Sequence, residues 1–355
     1  MTTIKILRQL IGISSENPDT DCRRIAAFVG DFLRRQTGAQ IIKQPTCGGN
    51  MNVIARFGQP RFFLNAHLDT VPRSGRRTHP LALKIKGNKL YGLGATDVKG
   101  AIACQLSALA DVPPKNLLVI YSCDEEAGND DGIRTFLTSR YRCGLKAGIV
   151  TEPTGLSVVR GHSGIANFEI EFLGRAAHSA YPNQGINAIE RAAVYILALA
   201  RYQKKIRRFR GAGLQPTVNA AVIRGGTKCN IVPEHCWLKV SVRYPLGLTP
   251  ERLFRDLSNL VPGRKMSIRM TYNAPPLRPN PATQPVVRIL HNGGAVSDRS
   301  GVNYWSEAAL FDRHGIPAVV FGPGDIKQAH AGDEYISRSQ LAKAEGMYRR
   351  LFGLL

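Results

Sequence analysis

Several things are scarce in this 355-residue chain, and each scarcity excludes something. Cysteine occurs seven times, an odd number, scattered and never as a Cys-x-x-Cys pair. That argues against a disulfide framework and a thiolate zinc site, and predicts a reducing, cytoplasmic setting. No apolar run approaches the roughly 20 residues that a membrane-spanning helix requires. The opening "MTTIKILRQLIGISS" is interrupted by Lys5 and Arg8, so it does not read as a secretory signal; Ile4, Leu7 and Ile11 fall on one helical face instead. The expectation is a soluble protein with no membrane partner. Acidic residues are also few: 26 Asp and Glu face 48 Lys and Arg, a formal charge of +22. A basic surface attracts anions, and nucleic acid has to be considered. The sharpest basic run, "RYQKKIRRFR" at 201–210, follows an apolar helical stretch and lies in no recognised nucleic-acid module. A solvated helix end accounts for it, and nucleic acid is not an expected partner.

What is present is a chain long enough for a full core, with 43% hydrophobic and 21% charged residues, the proportions of a globular protein of one large domain or two. Strand and helix signals alternate in the first part. The stretch 19–38, "DTDCRRIAAFVGDFLRRQTG", has a capping aspartate, apolar positions at Ile25, Phe28, Val29, Phe32 and Leu33, and Gly38 as a stop. "NVIARFG" and "RFFLNA" read as strands, "VKGAIACQLSALA" as a helix, "NLLVIYS" as a buried strand, "DGIRTFLTSR" as a helix and "AGIVT" as a strand. This predicts an α/β sheet covered by helices over 1–162, resumed over 276–355. Between them, 163–275 reads β-α-β-β-α-β, a ferredoxin-like α+β unit inserted into the first domain. The proline-rich "APPLRPNPATQP" reads as the return linker.

In α/β sheets ligands bind beyond the carboxyl ends of strands. "LNAHLDTVP" puts His67 and Asp69 there; Asp124, Glu125 and Glu126 follow "LLVIYSC"; Glu152 follows "AGIVT"; His330 follows a loop after "IPAVVFG". Asp97 lies in "GLGATDVKG", a glycine-rich turn leading into a helix. Six carboxylates and two imidazoles on one rim would repel one another strongly unless cations offset them. Histidine mixed with carboxylates and no thiolate suits two divalent ions of the Zn²⁺, Co²⁺ or Mn²⁺ kind, with a further carboxylate as proton acceptor. Such sites perform hydrolysis.

The ordered set "HLDT", "GLGATDVKG", "DEEAG", "TEPT", "GRAAHSAYP" and "GPGDIKQAHAGDEY" resembles the M20 family of metallopeptidases and amidohydrolases nearly end to end. The resemblance implies a metal-dependent exopeptidase-like catalytic domain carrying an inserted lid and dimerisation domain. It implies two ions, Zn²⁺ with Co²⁺ as the alternative: His67 and Glu152 on one, Glu126 and His330 on the other, Asp97 bridging. By the same resemblance Glu125 is the general base, Asp69 orients His67, and His178 donates to the oxyanion of the tetrahedral intermediate. The residues alone do not order Glu125 and Glu126. "GPGDIKQAHAGDEY" and "NYWSEAALF" are most like the family's amino-acid deacetylases. They imply hydrolysis of an N-acyl amino acid, N-acetylornithine first, with N-acetylcitrulline, N-succinyl-diaminopimelate or a dipeptide as the alternatives, by a homodimer joined through the lid. Arg243 and Asn230 are expected to contact substrate, and Glu307 to face its ammonium; Ser241 departs from the deacetylase pattern, which has an acid there. Lys99 reads equally as a neutraliser of nearby acids or as solvent-facing. Cys123 reads as packing, and His162, His235 and His314 as structural or solvated.

Overall fold

The computed structural model describes residues 1–17, 21–72, 81–128, 130–263 and 265–355. In chain order its strands are β1 (Gln40–Pro45), β2 (Met51–Arg56), β3 (Phe62–His67), β4 (Lys84–Lys86), β5 (Lys89–Tyr91), β6 (Leu117–Ser122), β7 (Ala147–Val150), β8 (Val158–Val159), β9 (Gly164–Leu173), β10 (Thr217–Gly225), β11 (His235–Tyr244), β12 (Met266–Ala274), β13 (Asp298–Arg299), β14 (Ala318–Val320) and β15 (Tyr335–Ser337). They belong to two compact units: Met1–Arg160, Pro279–Arg299 and Ser306–Leu355 form the first, Gly161–Arg278 with Ser300–Trp305 the second.

The first unit is an eight-stranded mixed sheet in the order β1-β2-β6-β3-β7-β14-β8-β13. β3 runs parallel to both β6 and β7, and β7 runs parallel to β14. Every residue of "LLVIYS" in β6 is buried, as a strand covered on both faces must be. The covering helices α1 (Thr3–Gly12), α2 (Arg23–Gln36), α3 (Lys99–Asp111) and α9 (Arg338–Gly353) put Leu7, Leu10, Val29, Leu33, Ile102, Leu106, Tyr348 and Phe352 into one core with the strands. α4 (Asp131–Thr138) buries Ile133 and Phe136, and Phe136 meets Phe311 of α8 (Ala308–Arg313). Phe311 in turn stacks on Phe63 of β3 at 3.9 Å. β4, β5 and β15 make a separate three-stranded sheet.

The second unit is a four-stranded antiparallel sheet in the order β10-β11-β9-β12. β9 alternates buried and intermediate residues along its whole length, so one face carries Ala166, Phe168, Ile170 and Phe172. α5 (Ala188–Ile206) and α6 (Pro250–Ser258) cover that face through Ala192, Tyr195, Leu199, Leu253 and Leu257. Asn187 caps α5 by accepting from Ile189 N and Glu190 N, and Thr249 caps α6.

Local readings needed correction at three places. Cys22, not an aspartate, holds the cap position of α2, although Asp21 Oδ1 does accept from Arg23 N; residues 19 and 20 of that stretch lie outside the described residues. The expected linker is helical at its end, where α7 (Gln284–Asn292) begins with proline in its first turn, a place where a missing N–H costs nothing. β1 was not anticipated, because "QIIKQP" mixes exposed and half-buried positions without alternation. No helix among the described residues is long and apolar enough to cross a membrane.

Candidate metal centre

The parallel strands deliver the site. β3 ends at His67, in register with Ser122 of β6, and Leu68 N still donates to Ser122 O. The chain then leaves the sheet toward the N-terminal segment: Thr70 N donates to Ser15 O and Asn17 N to Thr70 O. His67 Nδ1 lies 3.0 Å from the carbonyl of Asp69 and 3.7 Å from its carboxylate. The carbonyl is therefore the nearer partner, and donation from Nδ1 leaves the Nε2 lone pair free on the other side. The carboxylate of Asp69 serves a different purpose. It accepts from Glu126 N at 2.8 Å, Glu125 N at 3.4 Å and Asn17 Nδ2 at 3.1 Å, and so pins the backbone that carries the two glutamates.

On the open side, His67 Nε2 lies 3.2 Å from Asp97 Oδ1, while His330 Nε2 lies 3.5 Å from Asp97 Oδ2 and 3.1 Å from Glu126 Oε1. One ligand atom from each of His67, Asp97 and Glu126 falls within 4.8 Å of the others. Each oxygen of Asp97 thus faces a different imidazole. Glu152, just beyond β7, is buried, and the charges of Asp97, His67 and Glu126 act on it.

The electrostatics follow from crowding in a buried place. Burial, then repulsion from Glu126 and Glu152, pushes Glu125 well above the usual carboxylate range. Burial, then Asp97, does the same to Glu152, and burial raises Asp69. Burial opposes charge on Asp97 too, but its hydrogen bonds to His330 and His67 outweigh that and hold it well down. Burial likewise disfavours a charged His67, yet the Asp97 hydrogen bond and the nearby carboxylates raise it well above its ordinary value. His330, bonded to Asp97 and Glu126, is pushed up to about 10. Two imidazoles, interleaved carboxylates and no thiolate fit divalent metal ions of the zinc kind.

The remaining expected residues fall elsewhere. His178 and Asn230 are brought together within the second unit, where Ser179 N donates to Asn230 O and His178 bridges to Ile231. Both are exposed. Arg243 lies on β11, opposite Thr217 and Ile165. Glu307, expected beside a substrate ammonium, is only 1% exposed. Its Oε2 accepts from Ser122 Oγ at 2.9 Å and its Oε1 has no hydrogen-bond partner among the described residues; burial pushes its pKa up to about 8. Lys99 is not solvent-facing. It is 1% exposed, donates to Ile13 O, and burial lowers it to about 8. Cys123 is buried and burial pushes its thiol far up, which fits packing. His162 is buried beside Trp305.

Two participants escaped sequence reasoning. Asn17 donates to both Asp69 and Asp124, and nothing in "SSENP" signals it. Glu334 is 3% exposed and accepts three backbone N–H groups from the loop of Asp97. It sits inside "GDEY", where an acid four residues after a histidine was the available signal.

Histidines and carboxylates gathered at the carboxyl ends of parallel strands define a candidate metallohydrolase centre on an α/β sheet. The chain belongs to peptidase family M20/M25/M40, whose profile matches residues 63–353. It is 32% identical to an acetylornithine deacetylase of Myxococcus xanthus over 82% of this chain and 80% of that protein. It is 30% identical to an N-acetyl-L-citrulline deacetylase of Xanthomonas campestris pv. campestris over 96% of this chain and 95% of that one. In fold it resembles an M20 family metallo-carboxypeptidase from Sulfolobus solfataricus, with a TM-score of 0.79 at 16% identity, covering 99% of this chain and 98% of the other.

Proposed function

We propose that this protein is a metal-dependent amidohydrolase that cleaves the amide of an N-acyl amino acid, releasing the carboxylic acid and the free amino acid. The observation that carries this reading is the convergence of His67, Asp97, Glu126 and His330, with Glu125 adjoining. His67 and Glu152 would hold one divalent ion and Glu126 and His330 the other, with Asp97 shared. The ions, when bound, polarise the acyl carbonyl and make water a usable nucleophile near neutral pH. The remaining roles fall to the chain. Glu125, its carboxyl already raised by burial, takes the proton of the attacking water and passes it to the departing amine. By the family resemblance His178 would donate to the oxyanion, Arg243 would take the substrate carboxylate and Asn230 would contact substrate.

N-acetylornithine is the first candidate substrate and N-acetylcitrulline the second, since both activities appear in the names of relatives at 30% identity or more. The enclosure of Glu307 weighs against direct contact with a substrate ammonium, and its role in choosing between the two is open to test. Release of acetate from a panel of acetylornithine, acetylcitrulline and acetylmethionine, with and without chelator, decides the reading. Chelator-sensitive turnover of at least one is expected; chelator-insensitive turnover, or none on any N-acyl amino acid, contradicts it.

Assembly as a homodimer through the second unit is part of the proposal. β10 is an edge strand exposed over seven of its nine residues, including Val222 and Ile223, and α5 exposes Ile189, Val194 and Leu197. An apolar edge of this kind is normally covered.

A further inference from the structure

We propose that Glu334 is a positioning residue that sets Asp97 against His330, fixing the shared carboxylate in place before any ion arrives. This rests on the metal-site reading above. Glu334 Oε1 accepts from Thr96 N at 2.9 Å and Asp97 N at 3.0 Å, and Oε2 accepts from Gly94 N at 2.9 Å. Two further bonds clasp the same segments: Gly92 N donates to Glu334 O at 3.2 Å, and Thr96 Oγ1 donates to Tyr335 O at 2.7 Å.

Glu334 stands outside the group of side chains that could hold a metal ion, His67, Asp97 and Glu126. Both of its oxygens are committed to backbone N–H groups, and those donors offset the cost of burying one more carboxylate beside Asp97. Its place in the chain gives it leverage, because it follows His330 by four residues while its side chain grips the backbone of Asp97. His330 needs such an anchor: its side chain is 56% exposed, so packing alone does not hold the ring. One carboxylate thus ties together two loops more than 230 residues apart in sequence, each supplying a proposed ligand.

The test uses the full-length chain stripped of metal and titrated with Zn²⁺ against a chromophoric chelator. Glu334→Gln, which replaces one acceptor oxygen with a donor, is expected to bind Zn²⁺ about 10- to 100-fold more weakly than wild type. It should also alter the visible absorption of the Co²⁺-loaded protein. Asp333→Asn, its exposed neighbour, should match wild type in both. A folded Glu334→Gln with wild-type affinity and an unchanged Co²⁺ spectrum, even with a lowered melting temperature, overturns the positioning role. If Glu334→Gln does not fold, Thr96→Val removes the neighbouring clasp and is expected to weaken Zn²⁺ binding at least threefold; wild-type affinity there overturns the proposal. A wild-type chain that takes up no ion brings down the metallohydrolase reading and this inference together. Wild-type uptake matched by Glu334→Gln overturns the positioning role alone.

Discussion

In the proposed mechanism adjacent glutamates would carry opposite tasks, and their surroundings differ. Glu126 lies 3.1 Å from His330 within the group that could hold a metal ion, whereas Glu125 sits beside it with its carboxyl raised by burial. Glu125→Gln is therefore expected to keep its metal and lose roughly three orders of magnitude in kcat, while Glu126→Gln loses metal affinity first. Metal content and single-turnover rates of the two variants check this, and an exchange of phenotypes reverses the assignment. Glu307 makes a second prediction at this scale. Its carboxyl rises from an ordinary 4.5 to about 8 on burial, so the folded state prefers the proton more than the unfolded state does. The stability it contributes is full below about pH 4.5 and is lost as pH climbs through about 8. Urea midpoints of the metal-free protein should fall between pH 6 and 9 more steeply in wild type than in Glu307→Gln; parallel curves contradict it. Residue types were legible because acids and histidines after apolar runs have few structural reasons to be there. Asn17 and Glu334 were not, because Asn17 donates to the carboxylates of Asp69 and Asp124 and Glu334 accepts from backbone N–H groups of the Asp97 loop, and such bonds to residues far away in sequence leave no mark on the local pattern.

Elements were easiest to read where burial is one-sided or complete. β9 alternates without a fault and β6 is buried throughout, and both show as plain patterns. α7 hides behind prolines that look like a linker but include its own first turn. Contacts between elements impose demands that the pattern does not show. Gly148 of β7 faces the ring of Phe63, and a Cβ there would come within 2.2 Å of it. Phe63 cannot yield easily, being stacked on Phe311 of α8. Gly148→Ala should cost about 1–3 kcal/mol, read as a lowered melting temperature of the metal-free protein; an unchanged one would mean the strands can part. The exposed strip on α5 and β10 makes a further prediction. Leu197→Glu, at a position 62% exposed, should turn a dimer into a monomer by light scattering while leaving circular dichroism unchanged. A wild-type monomer, or a dimer indifferent to the change, contradicts assembly through this face.

For the molecule as a whole, ions that bind only the folded state stabilise it in proportion to their affinity. Stripping with chelator should abolish turnover and lower the melting temperature without unfolding the protein at 25 °C, because the core of the first unit is built from apolar residues and not from the site. Added Zn²⁺ or Co²⁺ should restore both; full activity in protein shown by elemental analysis to be metal-free contradicts the mechanism. The division into units has a consequence in time. The second unit is continuous over Gly161–Arg278 apart from six residues, whereas the first is interrupted by it and waits for β14, the loop of His330, β15 and α9. During synthesis, domains tend to fold as their segments emerge. The second unit can thus close while β7 still lacks β14 and the loop of Asp97 still lacks Glu334. Until that later stretch arrives, the early ligands have no partner loop to hold them in place. In the proposed site, a complete set of ligands would then come together only late in folding, when the loop of His330 and Glu334 has joined that of Asp97.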